Sequence, residues 1–188
     1  SGGATFVTAV GATALTGVDN SESDSTATFS STVVATTVTN TGTATFSDTV
    51  TATNINIETT GTTTFTGRII ETAASTSELD LAGAATVTVG FGHTTAGSAN
   101  TVDKLDMSST STLILDDTIT NAMFVFGTAT GTDAADIADG AKIYMPVNLT
   151  NGQTVILTKT DGGDDVDTEV NSALQDTSLI TYNSVEAD

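Results

Sequence analysis

The sequence predicts an all-β protein of the β-solenoid class, a parallel β-helix of about six to seven irregular coils with a short C-terminal capping helix. Three observations lead to this prediction: a composition dominated by threonine, a motif that returns along the chain, and alternation of apolar and polar residues within each copy. A β-sandwich or jelly-roll subunit is the alternative, because short strands separated by regular turns also suit that architecture.

The composition favours strands and excludes several kinds of site. Threonine accounts for 43 of the 188 residues, and threonine is β-branched and favours extended backbone. The chain has no cysteine, no tryptophan and a single histidine. These counts exclude disulfide scaffolds, thiol catalysis and cysteine zinc sites.

The charge balance is strongly acidic, with 23 acidic residues against 4 basic ones and a formal net charge of −19. Nucleic acids and anionic membrane surfaces are bound through lysine and arginine, so neither is an expected partner. Clustered carboxylates are hard oxygen ligands, and a divalent cation relieves their repulsion. Calcium is therefore the cofactor that the composition favours, and no organic cofactor is expected.

A degenerate repeat runs through the first 120 residues. Its clearest copies are residues 26–33, 43–50 and 62–69, with an earlier copy around Phe6. The phenylalanine of each copy is followed four positions later by valine or isoleucine, and we place Val87 and Leu113 at the phenylalanine position of two further copies. The spacing varies from 17 to 26 residues. A solenoid accommodates this variation, because its turns absorb insertions while its core rows are kept.

Apolar, polar, apolar triplets form a second signature that precedes glycine- or serine-containing turns. These triplets are residues 55–57, 79–81 and 105–107, and Gly42, Gly61 and Gly83 punctuate the ends of successive copies. Alternation with a period of two is the pattern of a strand with one buried face. The two signatures together predict stacked strands with valine, isoleucine and phenylalanine inside and threonine outside.

The repeat fades after residue 120. We therefore divide one continuous domain into repeat coils over residues 1–120 and a less regular β region with acidic loops over residues 121–188. Further strands are expected at 122–126, 142–145 and 154–157. Residues 167–175 follow several aspartates and carry apolar residues at helical spacing, which predicts a short helix. This helix and a last strand over 179–185 are expected to cover the open end of the stack.

The threonine-rich copies, followed by the stretch DGAKIYMPVNLTNGQTVILT at 139–158, resemble the β-helical passenger regions of bacterial autotransporters and haemagglutinin-like surface proteins. The resemblance extends over residues 26–160. It implies display at a cell surface, adhesion or fibre formation, and it assigns no catalytic residue. Because the chain begins at Ser1 without an initiator methionine or a leader, we expect a processed protein or a piece of a longer one.

Two acidic clusters are candidate calcium sites. In the first, aspartates spaced one to three residues apart stand around two glycines, so that their carboxylates can converge on one cation. This cluster consists of Asp161, Asp164, Asp165 and Asp167. The second consists of Asp133, Asp136 and Asp139. The alternative for the first cluster is a solvated turn that caps the following helix.

No catalytic residue is predicted. His93 is a lone histidine in an expected loop, and Asp103 and Asp106 are expected at the surface. Among 23 carboxylates some pair reaches the separation that glycoside hydrolysis requires by chance alone, so such a pair would carry little weight.

These observations favour a non-enzymatic, extracellular structural protein that is secreted or held at a cell surface. It is expected to form or extend a fibre, sheath or adhesin stalk by strand pairing. The partner is either another copy of the chain, in a homo-oligomer or filament, or the flanking repeats of a longer chain. The alternative function is a carbohydrate-binding or polysaccharide-cleaving β-helical domain.

Overall fold

The computed structural model describes residues 2–72, 77–90, 100–115, 122–126, 135–144, 156–159 and 174–175. Eighteen strands cover most of these ranges, and the described residues contain no helix. The all-β prediction is therefore confirmed. Accordingly, no helix within these ranges is long and apolar enough to cross a membrane.

The first sheet contains eight strands, numbered like all others in chain order. Across the sheet they are β1 (Gly3–Phe6), β3 (Thr26–Phe29), β5 (Thr43–Phe46), β7 (Thr62–Phe65), β10 (Thr86–Val89), β13 (Thr112–Leu115), β16 (Lys142–Tyr144) and β18 (Leu174–Gln175). Every neighbouring pair in this sheet is parallel.

Two further sheets take the strands that lie between those of the first. The second sheet consists of β2 (Val10–Asn20), β4 (Val33–Asn40), β6 (Val50–Ile57), β9 (Glu78–Leu81), β12 (Lys104–Met107) and β15 (Ala135–Ile137), with β8 (Ile69–Glu71) also paired to β6. The third consists of β11 (Asn100–Thr101), β14 (Ala122–Phe126) and β17 (Ile156–Lys159).

In all three sheets the neighbours follow chain order and pair in parallel, which is consistent with a β-solenoid. Antiparallel pairing, which a β-sandwich requires, is absent from the described strand pairs. The first sheet continues across residue 120, because β13 pairs with β16. The less regular C-terminal region thus extends the same sheet.

The register places like residues on like residues. Phe6 pairs with Phe29, Phe29 with Phe46 and Phe46 with Phe65, so the four phenylalanines form one row. Their rings are stacked, with centroids 4.7–5.1 Å apart and planes within 12° of parallel. This separation matches the spacing of paired strands, about 4.8 Å, so the rings reinforce the backbone ladder.

The placement of Val87 and Leu113 in this phenylalanine row is wrong by two residues. Val89 pairs with Phe65, and Leu115 pairs with Val89. Both the predicted and the observed residues are buried on the same side of the sheet, because side chains on one face of a strand recur every two residues.

Variable spacing between copies has a structural origin in the second sheet. Strands β4 and β6 each run for eight residues without interruption. In the next copy the equivalent span is divided into β8 and β9, which pair with the two halves of β6. The residues between β8 and β9 are an insertion, and the third sheet begins with β11 in the following copy. Insertions therefore lengthen the copies while the paired rows are kept.

The core is formed by the inward rows of the first two sheets. In β3, β5 and β7 the second and fourth residues are buried and the first is exposed, which confirms the predicted alternation. Phe46, Phe65, Ile55 and Leu79 are among the largest fully buried side chains. Each such side chain contributes about 1.5–3 kcal/mol by leaving water. The outward first position is threonine in five successive strands of the first sheet, from β3 to β13.

Glycines punctuate the copies because neighbouring backbones approach closely at the turns. A Cβ atom at Gly42 would lie 2.5 Å from the Ser25 carbonyl oxygen, and one at Gly61 would collide with the Asn40 carbonyl oxygen. Gly83 has a φ of 57°, a left-handed conformation that side chains disfavour. The predicted role of these three glycines as turn residues is consistent with this geometry.

The predicted helix at 167–175 is wrong where the structure describes it. Leu174 and Gln175 form β18, which pairs with Ile143 and Tyr144 of β16. Parallel pairing with the exposed edge of the sheet prevails there over the local helical spacing of apolar residues. The remainder of the predicted helix and the predicted strand at 179–185 lie outside the described residues.

Replacement of a ring inside the phenylalanine row should cost far more stability than replacement of the ring at its end. Phe46 is 1% exposed and stacked on both faces, whereas Phe6 is 41% exposed and stacked on Phe29 alone among the described rings. We expect Phe46→Ala to lower the free energy of unfolding by about 3–5 kcal/mol and Phe6→Ala by roughly 1 kcal/mol. Chemical denaturation followed by circular dichroism measures both, and equal losses would contradict the stacked core.

Candidate functional site

The aspartates predicted to bind calcium fall only partly within the described residues. Asp161, Asp164, Asp165 and Asp167 lie outside them, as do Asp133 and His93. Asp136 and Asp139 are described, and both are exposed. Within the described ranges, no group of three or more histidine, aspartate or glutamate side chains is arranged to hold a metal ion.

A column of carboxylates on the second sheet is the most concentrated chemistry that the structure describes. The register of β9, β12 and β15 places Asp80, Asp106 and Asp136 side by side, and Asn56 of β6 continues the row. We call Asp80, Asp106 and Asp136 the acidic column. Their flanking residues are buried in β9 and β12, so the column faces outward. Paired strands lie about 4.8 Å apart, and like charges at that distance repel.

Lys104 offsets part of this repulsion. Its Nζ lies 2.9 Å from the Asp106 carboxylate, 3.3 Å from Glu78 and 3.9 Å from Asp136. Lys104 of β12 is the register partner of Glu78 of β9, two residues before the acidic column. Its ammonium group therefore contacts carboxylates of three adjacent strands, β9, β12 and β15. The hydrogen bond to Asp106 raises the pKa of Lys104, and this lysine therefore stays charged through the physiological range.

Lys104 compensates the charge of Asp80 only in part. Partial burial, and then the negative charges of Asp106, Glu78 and Glu58, raise its pKa from an ordinary value of 3.8 to about 6, while Lys104 opposes the shift. Asp80 thus takes up a proton at mildly acidic pH. The column as a whole can carry a proton, hold a cationic side chain and attract cations from solution.

Asp103 is buried, contrary to the sequence-based expectation that it lies at the surface. It is 3% exposed, and its carboxylate accepts hydrogen bonds from the Ser77 backbone N–H at 2.9 Å and from the Ser77 hydroxyl at 3.0 Å. The Asp103 backbone N–H in turn donates to Ser77 Oγ at 2.8 Å. These reciprocal bonds fix the starts of β9 and β12 together, so Asp103 has a structural role.

Asparagine side chains connect successive copies at the ends of β2 and β4, where Asn40 is buried and Asn20 is partly buried. Asn20 Nδ2 donates to Asn40 Oδ1 at 2.7 Å, and Asn40 Nδ2 donates to the Thr63 hydroxyl at 2.8 Å and to the Gly42 carbonyl at 3.0 Å. Buried amides in register satisfy one another and the turn backbone. The row ends after two copies, because Ile57 occupies the next position.

The functional interest of the acidic column escaped the sequence analysis, although a signal for it was present. Asp80 and Asp106 are the middle residues of the triplets at 79–81 and 105–107. Once stacked triplets are predicted, their middle residues must form an outward column. Asp136 occupies the same position in a copy that lacks the full triplet, since Ala135 pairs with Leu105. Asp106 lies at the surface as expected.

Comparisons with protein-family models, with curated proteins and with solved structures each found no match.

The acidic column predicts stability that falls as the pH rises. Because folding raises the pKa of Asp80 to about 6, its contribution to the free energy of unfolding is fully present below about pH 4 and is lost as the pH passes 6. We expect Asp80→Asn to equal the wild type near pH 4 and to exceed it at pH 7 by on the order of 1 kcal/mol, because the carboxyl is partly screened by water.

Denaturant unfolding at both pH values measures this difference. Glu22→Gln is the matched control, since it removes an exposed carboxylate outside the column and should show no such pH-dependent gain. A difference between Asp80→Asn and the wild type that does not change with pH would contradict the proposed repulsion within the column.

Proposed function

We propose that the chain is a β-solenoid module that acts as a structural rod in an extracellular fibre, sheath or adhesin stalk. The observation that supports this proposal is the parallel, in-register order of the eight strands in the first sheet. Seven steps of about 4.8 Å give the stack a length of roughly 34 Å. Length in such a stack grows with the number of copies and is independent of their loops.

A rod of this kind is stiff because each copy is held to its neighbours by several rows at once. Stacked phenyl rings, the Asn20–Asn40 bond and backbone ladders in two sheets all act between the same neighbouring copies. Bending the stack would have to open one of these rows. A stalk or spacer requires this resistance, whereas a catalyst does not.

The surface chemistry suits an extracellular environment. A net charge of −19 keeps rods apart and in solution, and the outward threonines of the first sheet present hydroxyl groups to water. We propose placement at a cell surface, on the basis of the resemblance to passenger regions and of this composition. Expression with and without a secretion signal, followed by protease accessibility on intact cells, tests the placement.

Particle shape tests the rod proposal. A single stack of about 34 Å is about as long as a compact sphere of 18.9 kDa is wide, so two copies of the chain fused in tandem give the sharper test. We expect small-angle scattering of the fusion to give a maximum dimension about 34 Å longer than that of the single chain, because copies add length along one axis. An increase much smaller than this would overturn the proposal. Negative-stain electron microscopy with millimolar calcium and with chelator reports whether calcium joins particles into filaments.

Calcium is proposed to stabilise the acidic C-terminal region through Asp161, Asp164, Asp165 and Asp167. Convergent carboxylates repel one another without a cation, so removal of calcium should destabilise this region. We expect chelator to lower the midpoint of thermal unfolding by several degrees, and the double variant Asp161→Asn, Asp164→Asn to lose this response. An unchanged midpoint in the wild type would contradict a calcium role.

The second candidate function is carbohydrate binding or cleavage. Proximity of two carboxylates carries little weight in this chain, and the observation that favours this candidate is a difference in environment. The pKa of Asp80 is raised to about 6, whereas its neighbour Asp106 forms an ion pair with Lys104 at 2.9 Å. A polysaccharide screen discriminates the two functions. Sugar release that is abolished in Asp80→Asn and retained in Glu22→Gln would support this candidate. If no sugar is released, the structural rod remains the proposed function.

A further inference from the structure

We propose that the outward face of the first sheet binds ice through a flat array of threonine side chains. The array is formed by the outward residues of β3, β5, β7, β10 and β13, and we call it the threonine face. This inference goes beyond the proposed rod function, since it assigns a ligand to one long face of the stack.

The register of the first sheet arranges the threonine face in two straight rows. Each of the five strands contributes its first and third residues, because its second and fourth residues are buried. The first row is Thr26, Thr43, Thr62, Thr86 and Thr112, and the second row is Thr28, Thr45, Thr64, Thr88 and Ile114. Nine of these ten residues are threonine, against 43 of 188 in the whole chain, so threonine is concentrated on this face.

The threonine face is flatter than the face of an ordinary sheet. Neighbouring strands usually rotate by about 20–25° relative to one another. The rings of Phe29, Phe46 and Phe65 lie on the inner side of β3, β5 and β7, and the planes of successive rings differ by only 3° and 12°. These strands therefore rotate little, and no register shift interrupts the four strand pairs of this face. A flat, regular face fits a flat, regular partner.

The spacing of the array is close to that of ice. Paired strands repeat at about 4.8 Å across a sheet, and outward side chains repeat at about 6.6–6.8 Å along a strand. Water oxygens in hexagonal ice repeat along the a axis at a distance a few tenths of an ångström shorter than the first spacing. Along the c axis they repeat at a distance slightly longer than the second spacing. The threonine face therefore places its side chains nearly in step with the prism plane of ice, which contains both axes.

Threonine has the chemistry to hold an ordered layer of water. Its hydroxyl group both donates and accepts hydrogen bonds, as a lattice water does, and its methyl group is stabilised when it leaves liquid water. β-Branching restricts χ1, so fixing the array against a surface costs little side-chain entropy. Among the described residues, side-chain hydrogen bonds occupy other threonine hydroxyls, such as those of Thr63 and Thr110, and none of the nine on this face. These nine hydroxyls are available to water.

The lack of charge on the threonine face favours ice over other partners. None of its ten residues is charged, although the net charge of the chain is −19 and a neighbouring pair of outward residues on the second sheet is Glu78 and Lys104. Ions orient water around themselves and would disturb a lattice, whereas neutral hydroxyls do not. A polysaccharide is usually met by aromatic rings, and the ten residues include none. A second copy would bring another net charge of −19 alongside the first.

Adsorption of the purified chain to growing ice tests the proposal. Ice is grown slowly from a dilute protein solution, and the protein concentration in the ice is compared with that in the remaining liquid. The melting and freezing temperatures of a single small ice crystal are measured on the same samples. We expect the wild type to enter the ice and to hold the freezing temperature of the crystal below its melting temperature, because adsorbed protein blocks growth of the ice surface.

Two tyrosine variants locate the binding face. Thr64→Tyr places a protruding ring at the centre of the threonine face, and Thr51→Tyr is the matched control, since Thr51 is an outward threonine of β6 in the second sheet. Thr64→Tyr should lower the partition into ice by about tenfold, because the ring holds the neighbouring threonines away from a flat surface. Thr51→Tyr should match the wild type. Thr43→Tyr, in the other row, should repeat the loss, and thermal unfolding verifies that each variant folds.

Several outcomes would overturn the threonine face as an ice-binding surface. Exclusion of the wild type from ice to the same degree as an unrelated acidic protein would do so, as would equal partition of the wild type, Thr64→Tyr and Thr43→Tyr. Binding to an insoluble polysaccharide, or dimerisation, that is lost in Thr64→Tyr and occurs without adsorption to ice would replace ice by that partner. A tandem fusion that fails to lengthen would remove the rod function alone, because the threonine face needs only five strands of one chain.

Discussion

Stacking of like side chains between parallel strands sets the register on which the remaining features depend. The phenyl rings of Phe6, Phe29, Phe46 and Phe65 repeat at 4.7–5.1 Å, the spacing that backbone pairing requires. A shift of two residues in any strand would unstack these rings, and a shift of one would turn them to solvent. This row also aligns the Asn20–Asn40 pair, the outward threonines and the acidic column, each of which forms a row across neighbouring strands.

The same register that stabilises the core imposes a cost outside it. Identical positions in successive copies come side by side, so outward carboxylates repel their equivalents. Lys104 reduces this repulsion by contacting Glu78, Asp106 and Asp136, while Asp80 responds with a raised pKa. The N-terminal copy avoids the problem, because its strands carry no charge before Asp19.

The sequence was sufficient to predict the rows formed by close copies. Residues 26–33, 43–50 and 62–69 match so well that their register followed directly, and the triplets aligned as expected. Val87 and Leu113 were misplaced by two residues because alternating valine and leucine fit the buried row at either position. The burial of Asp103 was not predictable, since it depends on Ser77, which lies 26 residues away and carries no local signal. At Leu174 and Gln175, long-range pairing prevailed over local helical spacing.

Distance measurement between outward threonines of the first sheet tests the stacked register most directly. Thr26, Thr86 and Thr112 occupy one row, three and four strand steps apart. Spin labels are attached to two double variants, Thr26→Cys with Thr86→Cys and Thr26→Cys with Thr112→Cys. The backbone separation should be about 14 Å in the first variant and about 19 Å in the second, an increase of one strand spacing. Separations that do not increase from the first pair to the second would contradict parallel stacking of the copies in chain order.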